Sequence, residues 1–217
     1  MKAMPPSGNV STGNTGIATT NAGSLGNPDE PDAEAQLSNL NVENVSKVLS
    51  LEDFLLNPLE HMEWVDGQVV EKTGMTLRHG LVQSRLDSAW RVYKQSSGHG
   101  GEVFTEAPCR THKQVRRPDI AYATPTFLSQ LGNAAVAPQS FPLIVEIVSP
   151  TDYMEEIFAK SQEYLQSGCE EVWLILPGSH YVFVLNSHQR LWFRATEVVK
   201  TQTVLAGFDI AVDDLLA

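Results

Sequence analysis

The chain is poor in cysteine, poor in basic charge, and without any long apolar run. Only Cys109 and Cys169 are cysteines among its 217 residues, and they form no CxxC pair. A disulfide framework and a zinc site are therefore not expected, and two free thiols in a reducing compartment are. No stretch approaches the ~18 apolar residues of a membrane span, and no signal-peptide core precedes the domain. A soluble, cytoplasmic protein is expected. Lys and Arg number 15 against 26 Asp and Glu, a formal charge of −11. Proteins that grip nucleic acid by charge alone carry a basic face. Residues 1–50 hold five acids (Asp29, Glu30, Asp32, Glu34, Glu43) and two bases (Lys2, Lys47), so the remainder keeps 21 acids against 13 bases, or −8. Any contact with nucleic acid must use a local patch or metal ions.

Large apolar side chains are also scarce over residues 1–45, which are mostly Gly, Ser, Thr, Asn, Pro and Ala. Such a segment cannot bury enough surface to offset its ordering entropy. A disordered extension over 1–45 and one domain over 46–217 are expected. No internal repeat is present.

Hydrophobic residues make up 42% of the chain, enough for a core. Ser50, with Asp53 three residues on, can cap a short helix. Asp66-Gly67 is a hairpin signal between two short alternating strands. Val82, Leu86, Ala89, Trp90 and Tyr93 recur at helical spacing, with Gly98 beyond the end. "GEVFTEAPCRTH" and "VRRPDIAYAT" read as an antiparallel pair, and 126–141 as a loop with a short helical start. "PLIVEIV" is a central strand. The stretch "DYMEEIFAKSQEYLQSG" is an amphipathic helix that Asp152 can cap and Gly168 can end. "EEVWLILPG" and a hairpin turned at Asn186-Ser187 follow. This order gives a mixed α/β fold around one sheet, flanked by helices.

Glu146 stands in the middle of "PLIVEIVSPTD". Strand alternation puts Ile144, Glu146 and Val148 on one face, and both faces look covered. An unpaired buried carboxylate costs several kcal/mol, roughly. It must be protonated, paired with a base such as Arg116 or Arg117, or bound to a metal. Asp119 opens the strand of "RRPDIAYA" after Pro118. If the two strands are neighbours, the carboxylates meet, repel and raise each other's pKa. A hard cation such as Mg²⁺ removes that penalty. Lys160 lies on the following helix, four residues from Tyr164 and on the same side. There it can balance the carboxylates or stabilise a phosphorane.

Taken in order, "RRPDIAYA", "LIVEIVSPTD" and "KSQEYLQSGCEEVWLI", preceded by "LEDFLLNPLE" and "MEWVDGQVVEK", resemble the Uma-type restriction endonuclease family of the PD-(D/E)XK nuclease superfamily. The likeness covers about residues 48–217. It implies a restriction endonuclease-like fold, a mixed central β-sheet flanked by helices. It also implies a Mg²⁺-dependent endonuclease cutting DNA, with Mn²⁺ as a surrogate ion and a 5′-phosphate product. Asp119 and Glu146 would hold the metal, joined by the Ile147 carbonyl. Val148 stands where the superfamily pattern puts lysine, and Lys160 would be the migrated lysine. Glu71, His79 and Tyr164 would support the site.

Blander readings stand beside these. Lys160 can snorkel, Tyr164 can be core, and His79 and Glu71 can be merely solvated. Glu155–Glu156 and Glu170–Glu171 are expected on solvated faces, and Trp64, Trp90, Trp173 and Trp192 in the core. Arg116 and Arg117 can touch phosphate or pair with acids. The last hairpin hints at a homodimer. The main functional alternative is a catalytically inactive interaction protein of the same fold; a small-molecule phosphohydrolase is a third reading.

Overall fold

The computed structural model describes residues 49–72 and 75–217; the expected extension over 1–45 and its boundary lie outside the described residues. Helix α1 (Leu51–Leu56) starts as read: Ser50 Oγ accepts from the Asp53 amide at 3.1 Å. Strands β1 (Met62–Val65) and β2 (Gln68–Glu71) flank Asp66-Gly67. Both turn residues have positive φ, 50° and 85°, the conformation a two-residue hairpin needs. Helix α2 (Leu77–Ser97) is capped by Thr76, whose hydroxyl accepts from the His79 amide, and ends at Gly98 in the left-handed region.

Then come β3 (Glu102–Thr105), β4 (Cys109–Arg110), β5 (Val115–Arg116), β6 (Ile120–Ala123), α3 (Pro125–Leu131) and β7 (Leu143–Ile147). They are followed by α4 (Met154–Gln166), β8 (Glu171–Leu176), β9 (Tyr181–Asn186) and β10 (Arg190–Arg194). The described chain closes with β11 (Val198–Lys200), β12 (Asp209–Ala211) and α5 (Val212–Leu216).

A six-stranded sheet runs β10-β9-β8-β7-β6-β3. Only β7 and β8 pair in parallel, because α4 carries the chain across between them. On one face Val82, Leu86 and Trp90 of α2 pack against Val145, Trp173 and Ile175. On the other, Tyr164 of α4 packs against Ile144, Val172 and Leu174. Both cysteines are buried and free, as expected. No described helix is long and apolar enough to cross a membrane.

The structure corrects several readings. A second sheet, β2-β1-β5-β4, and a two-stranded ribbon, β11-β12, join the expected single one. Two-residue strands such as β4 and β5 carry no periodicity to read. Asp152 does not cap α4: Tyr153 holds that position without a side-chain bond, and Asp152 accepts from the Ser149 amide instead. The last hairpin turns about Ser187-His188, with Asn186 Oδ1 accepting from the amides of His188 and Gln189. Glu171 is fully buried. It accepts from Trp173 Nε1, the Gln202 and Thr203 amides and the Thr203 hydroxyl, which tie the 201–203 segment to the sheet. Trp90 and Trp173 are core, but Trp192 is 59% exposed.

Candidate active site

The sheet's register assembles the site. Thr105 pairs with Ile120, and Ile120 with Val145. One further step brings Glu106 beside Asp119, the Glu106 amide donating to the Asp119 carbonyl at 3.3 Å, while the Asp119 amide donates to the Val145 carbonyl at 3.1 Å, one residue out of the β6–β7 register. Three carboxylates thus stand in a row near the ends of β3, β6 and β7, just where β3 and β6 open into loops, with Asp119 reaching His79 of α2 and Glu146 reaching Tyr164 and Lys160 of α4.

Asp119 is buried and fully engaged. Its Oδ2 accepts from the Ile147 amide at 2.6 Å. Its Oδ1 lies 2.6 Å from Lys72 Nζ and 3.1 Å from His79 Nε2. Burial alone would raise its pKa, but Lys72 and His79 outweigh that and hold it well below the usual carboxylate range. Glu146 accepts from Tyr164 Oη at 2.7 Å and lies 3.0 Å from Lys160 Nζ. Here burial wins over the two lysines, and Asp119 and Glu63 add repulsion, so the Glu146 pKa is raised. The two carboxylates are thus driven in opposite directions, a pattern common at functional sites.

Lys160 also meets Glu63 at 2.9 Å. Burial opposes its charge, but Glu146 and Glu63 prevail and hold its pKa above that of a free lysine. Arg116 pairs with Glu163 at 2.8 Å and Glu63 at 3.2 Å. Arg117 donates to the carbonyls of Leu59, Met62 and Glu106. Neither arginine is the partner of Glu146; Lys160 is.

His79, expected at the helix entry, is brought in by α2 and is buried. Its Nε2 approaches Asp119 out of line, so neither ring nitrogen has an aligned hydrogen-bond partner among the described residues. Glu71 ends β2 with its carboxylate exposed on the rim of the cavity.

Sequence reasoning missed Lys72, Glu63 and Glu106. Lys72 Nζ bridges Asp119, both oxygens of Glu106 and the Arg117 carbonyl. A lysine directly after a strand-end glutamate in "VVEKTG" carries no signal of this. Glu106 could have been found from the antiparallel pairing that was read, since it lies one residue past β3.

Asp119, Glu146, Lys160, Lys72, His79 and Glu63 line an open cavity of about 600 Å³. Its walls carry eight carboxylates (Glu63, Asp66, Glu71, Asp119, Glu146, Asp152, Glu156, Glu163) against Lys72, Arg116 and Lys160. With His79 neutral the lining is five charges negative. Such a lining repels a phosphate, and added cations lower that barrier. Ligand atoms of His79, Glu106 and Asp119 all lie within 4.8 Å of one another. Oxygen donors with one imidazole, an unsatisfied imidazole and surplus negative charge fit a hard divalent cation. Glu146 is outside that close-set trio, across the row from it.

The family model Uma2, described as "Putative restriction endonuclease", matches residues 45–213. A solved structure titled "a putative nuclease", from Anabaena variabilis ATCC 29413, superposes with a TM-score of 0.69 at 21% identity, covering 77% of this chain and 97% of the other. At that identity the likeness is one of fold. No curated protein shows significant similarity to the chain. The matched span takes in every residue of the carboxylate row and both lysines beside it, and the chain belongs to the Uma2 family of restriction endonuclease-like proteins.

Proposed function

We propose that the protein is a Mg²⁺-dependent endonuclease that hydrolyses phosphodiester bonds of DNA, with Asp119, Glu146 and Lys160 as its catalytic residues. The observation that carries this reading is that Asp119 and Glu146 line one acidic cavity, with Lys160 set on Glu146 and Glu106 and His79 beside Asp119. Asp119 is the ligand common to both candidate metal sets, with Glu146 from the sequence and with His79 and Glu106 from the geometry. A divalent cation bound there supplies a water of lowered pKa and Lewis-acid polarisation of the phosphate.

The chain's own residues do the rest. The Ile147 amide fixes the Asp119 carboxylate, and Tyr164 fixes that of Glu146. Lys160, held between Glu146 and Glu63, places a positive charge where a phosphorane would gather negative charge. Glu71 on the rim and His79 beside Asp119 are the supporting residues.

A second reading, an inactive nuclease-fold binding protein, is favoured by one observation: a lysine ammonium already neutralises each carboxylate, Lys72 on Asp119 and Lys160 on Glu146. Calorimetry with Mn²⁺ separates the two, run on wild type, Asp119→Ala and Glu146→Ala, each checked by circular dichroism, alongside plasmid cleavage. Binding and cleavage that both variants lose support the nuclease. A folded wild type that binds no metal leaves the interaction protein.

A further inference from the structure

The carboxylate row does not stop at β7. Register continues it from Glu146 to Leu174, from Leu174 to Phe183 and from Phe183 to Trp192. Trp192 on the edge strand thus lies on the same side of the sheet as Glu146, with buried Leu174 and, packed against Phe158 of α4, Phe183 between them. The geometry points to the outer face of β9 and β10 as a docking surface for single-stranded nucleic acid: an unpaired base stacks on Trp192 and backbone phosphates meet Arg190 and Arg194. This inference rests on the nuclease reading for its choice of ligand.

Strand alternation builds the surface. Leu191 and Phe193 turn into the core, so Arg190, Trp192 and Arg194 turn out together. Trp192 is the odd one of the four tryptophans. Trp90 and Trp173 are 0% exposed, and Trp64 is partly buried with its Nε1 bonded to the Leu49 carbonyl. Trp192 is 59% exposed and braced by Tyr181, ring centroids 5.5 Å apart. A braced, exposed indole offers an open face to a base, and base–aromatic stacking is tolerant of sequence.

The charge is complementary in a chain of −11. Among the described residues neither guanidinium pairs with a carboxylate. Arg190 leans on the carbonyls of Asn186 and Gln189, and the nearby Glu197 carboxylate accepts from the backbone amide of Arg194. This is a local basic patch of the kind an acidic protein needs to hold a polyanion. From Glu146 to Trp192 is three strand spacings, about 14 Å in a straight line, with Leu174 buried between them. A second copy fits the face less well. Antiparallel edge pairing centred on Trp192 would set Arg190 opposite Arg194 of the other copy, like charge on like.

The test is fluorescence anisotropy of a labelled 20-mer of dT and of a 20-base-pair duplex, in EDTA at low salt. The proteins are wild type, Trp192→Ala and Arg190→Gln/Arg194→Gln; all three positions are on the surface. Wild type is expected to bind the single strand more tightly than the duplex. Trp192→Ala is expected to weaken it about tenfold. The arginine double variant is expected to lower the log–log salt slope by about 1.4, two phosphates at about 0.7 each. Variants that bind like wild type overturn the inference, as does a folded wild type that binds no single strand. A wild-type dimer that Trp192→Ala turns into monomer in the ultracentrifuge also overturns it, since the face is then an interface between copies. Mn²⁺-dependent plasmid cleavage on the same samples keeps the two ideas apart. Cleavage with strand binding insensitive to Trp192 removes the docking surface alone. Trp192-dependent binding without metal-dependent cleavage removes the nuclease reading alone.

Discussion

Lys72 Nζ stands 2.6 Å from Asp119 Oδ1, 2.7 Å from the Arg117 carbonyl and 3.1 Å from Glu106 Oε2. The ammonium therefore occupies the oxygen cluster that the His79–Glu106–Asp119 trio would offer to a cation. Burial works against its charge, but Asp119 and Glu146 outweigh burial and keep the lysine protonated.

An ion and this ammonium compete for the same oxygens. Replacing Lys72 by Met is expected to tighten Mn²⁺ binding about tenfold or more, since even at an effective dielectric of ~20 a unit charge at ~4 Å is worth about 4 kcal/mol before relaxation. Titration calorimetry of the two proteins measures it. Weaker binding by a folded Lys72→Met would mean that the lysine positions Asp119 rather than blocks it.

Glu63 gives a pH-dependent prediction. Burial raises its pKa, but Lys160 and Arg116 overcome this and bring it down from 4.5 to about 2. A depressed carboxylate stabilises the fold above its unfolded pKa, and that contribution disappears as pH falls through the folded value. Wild type is expected to lose stability between pH 4.5 and about 2. Glu63→Gln, less stable at pH 7 by roughly 3 kcal/mol, should show a flatter profile there. Urea unfolding at stepped pH reads the difference; parallel profiles would remove Glu63 from the acid transition.

The fold was legible where periodicity was long. Helix α2, helix α4 and the central strand all follow from the spacing of Leu86, Trp90 and Tyr164 and from the apolar run about Glu146. The site was legible in part: the strands beside Asp119 and Glu146 are neighbours, as the reading supposed, and Lys160 and Tyr164 both reach Glu146. Lys72 and Glu63 were hidden because long-range ion pairs leave no local pattern. Glu171 was misread for a related reason. An acidic pair before a strand looks solvated, and only the chain's return at Gln202 and Thr203 supplies the donors that bury one member.

Those donors make Glu171 a structural carboxylate, with its consequence for stability alone. Glu171→Ala leaves the buried Trp173 indole and two part-buried backbone amides without their acceptor. A loss of about 3 kcal/mol is expected, an unsatisfied buried donor costing about 1–3 kcal/mol. Chemical denaturation measures it. A loss below about 1 kcal/mol would mean that water replaces the carboxylate.

Lys160 and Glu146 allow the pair to be weighed against its parts. Lys160→Met leaves two buried carboxylates, Glu146 and Glu63, without their shared cation, a change worth about 3–5 kcal/mol for a buried pair. Glu146→Gln relieves the carboxylate whose pKa burial has already raised, and keeps an acceptor for Tyr164. The single Glu146→Gln change should therefore cost less than Lys160→Met. Adding it to Lys160→Met should return part of the lost stability, because one of the two orphaned charges is gone. A double-mutant cycle in urea reads the coupling directly. Strictly additive losses would mean that Glu146 is already protonated when Lys160 is present, and that Lys160 serves Glu63 alone.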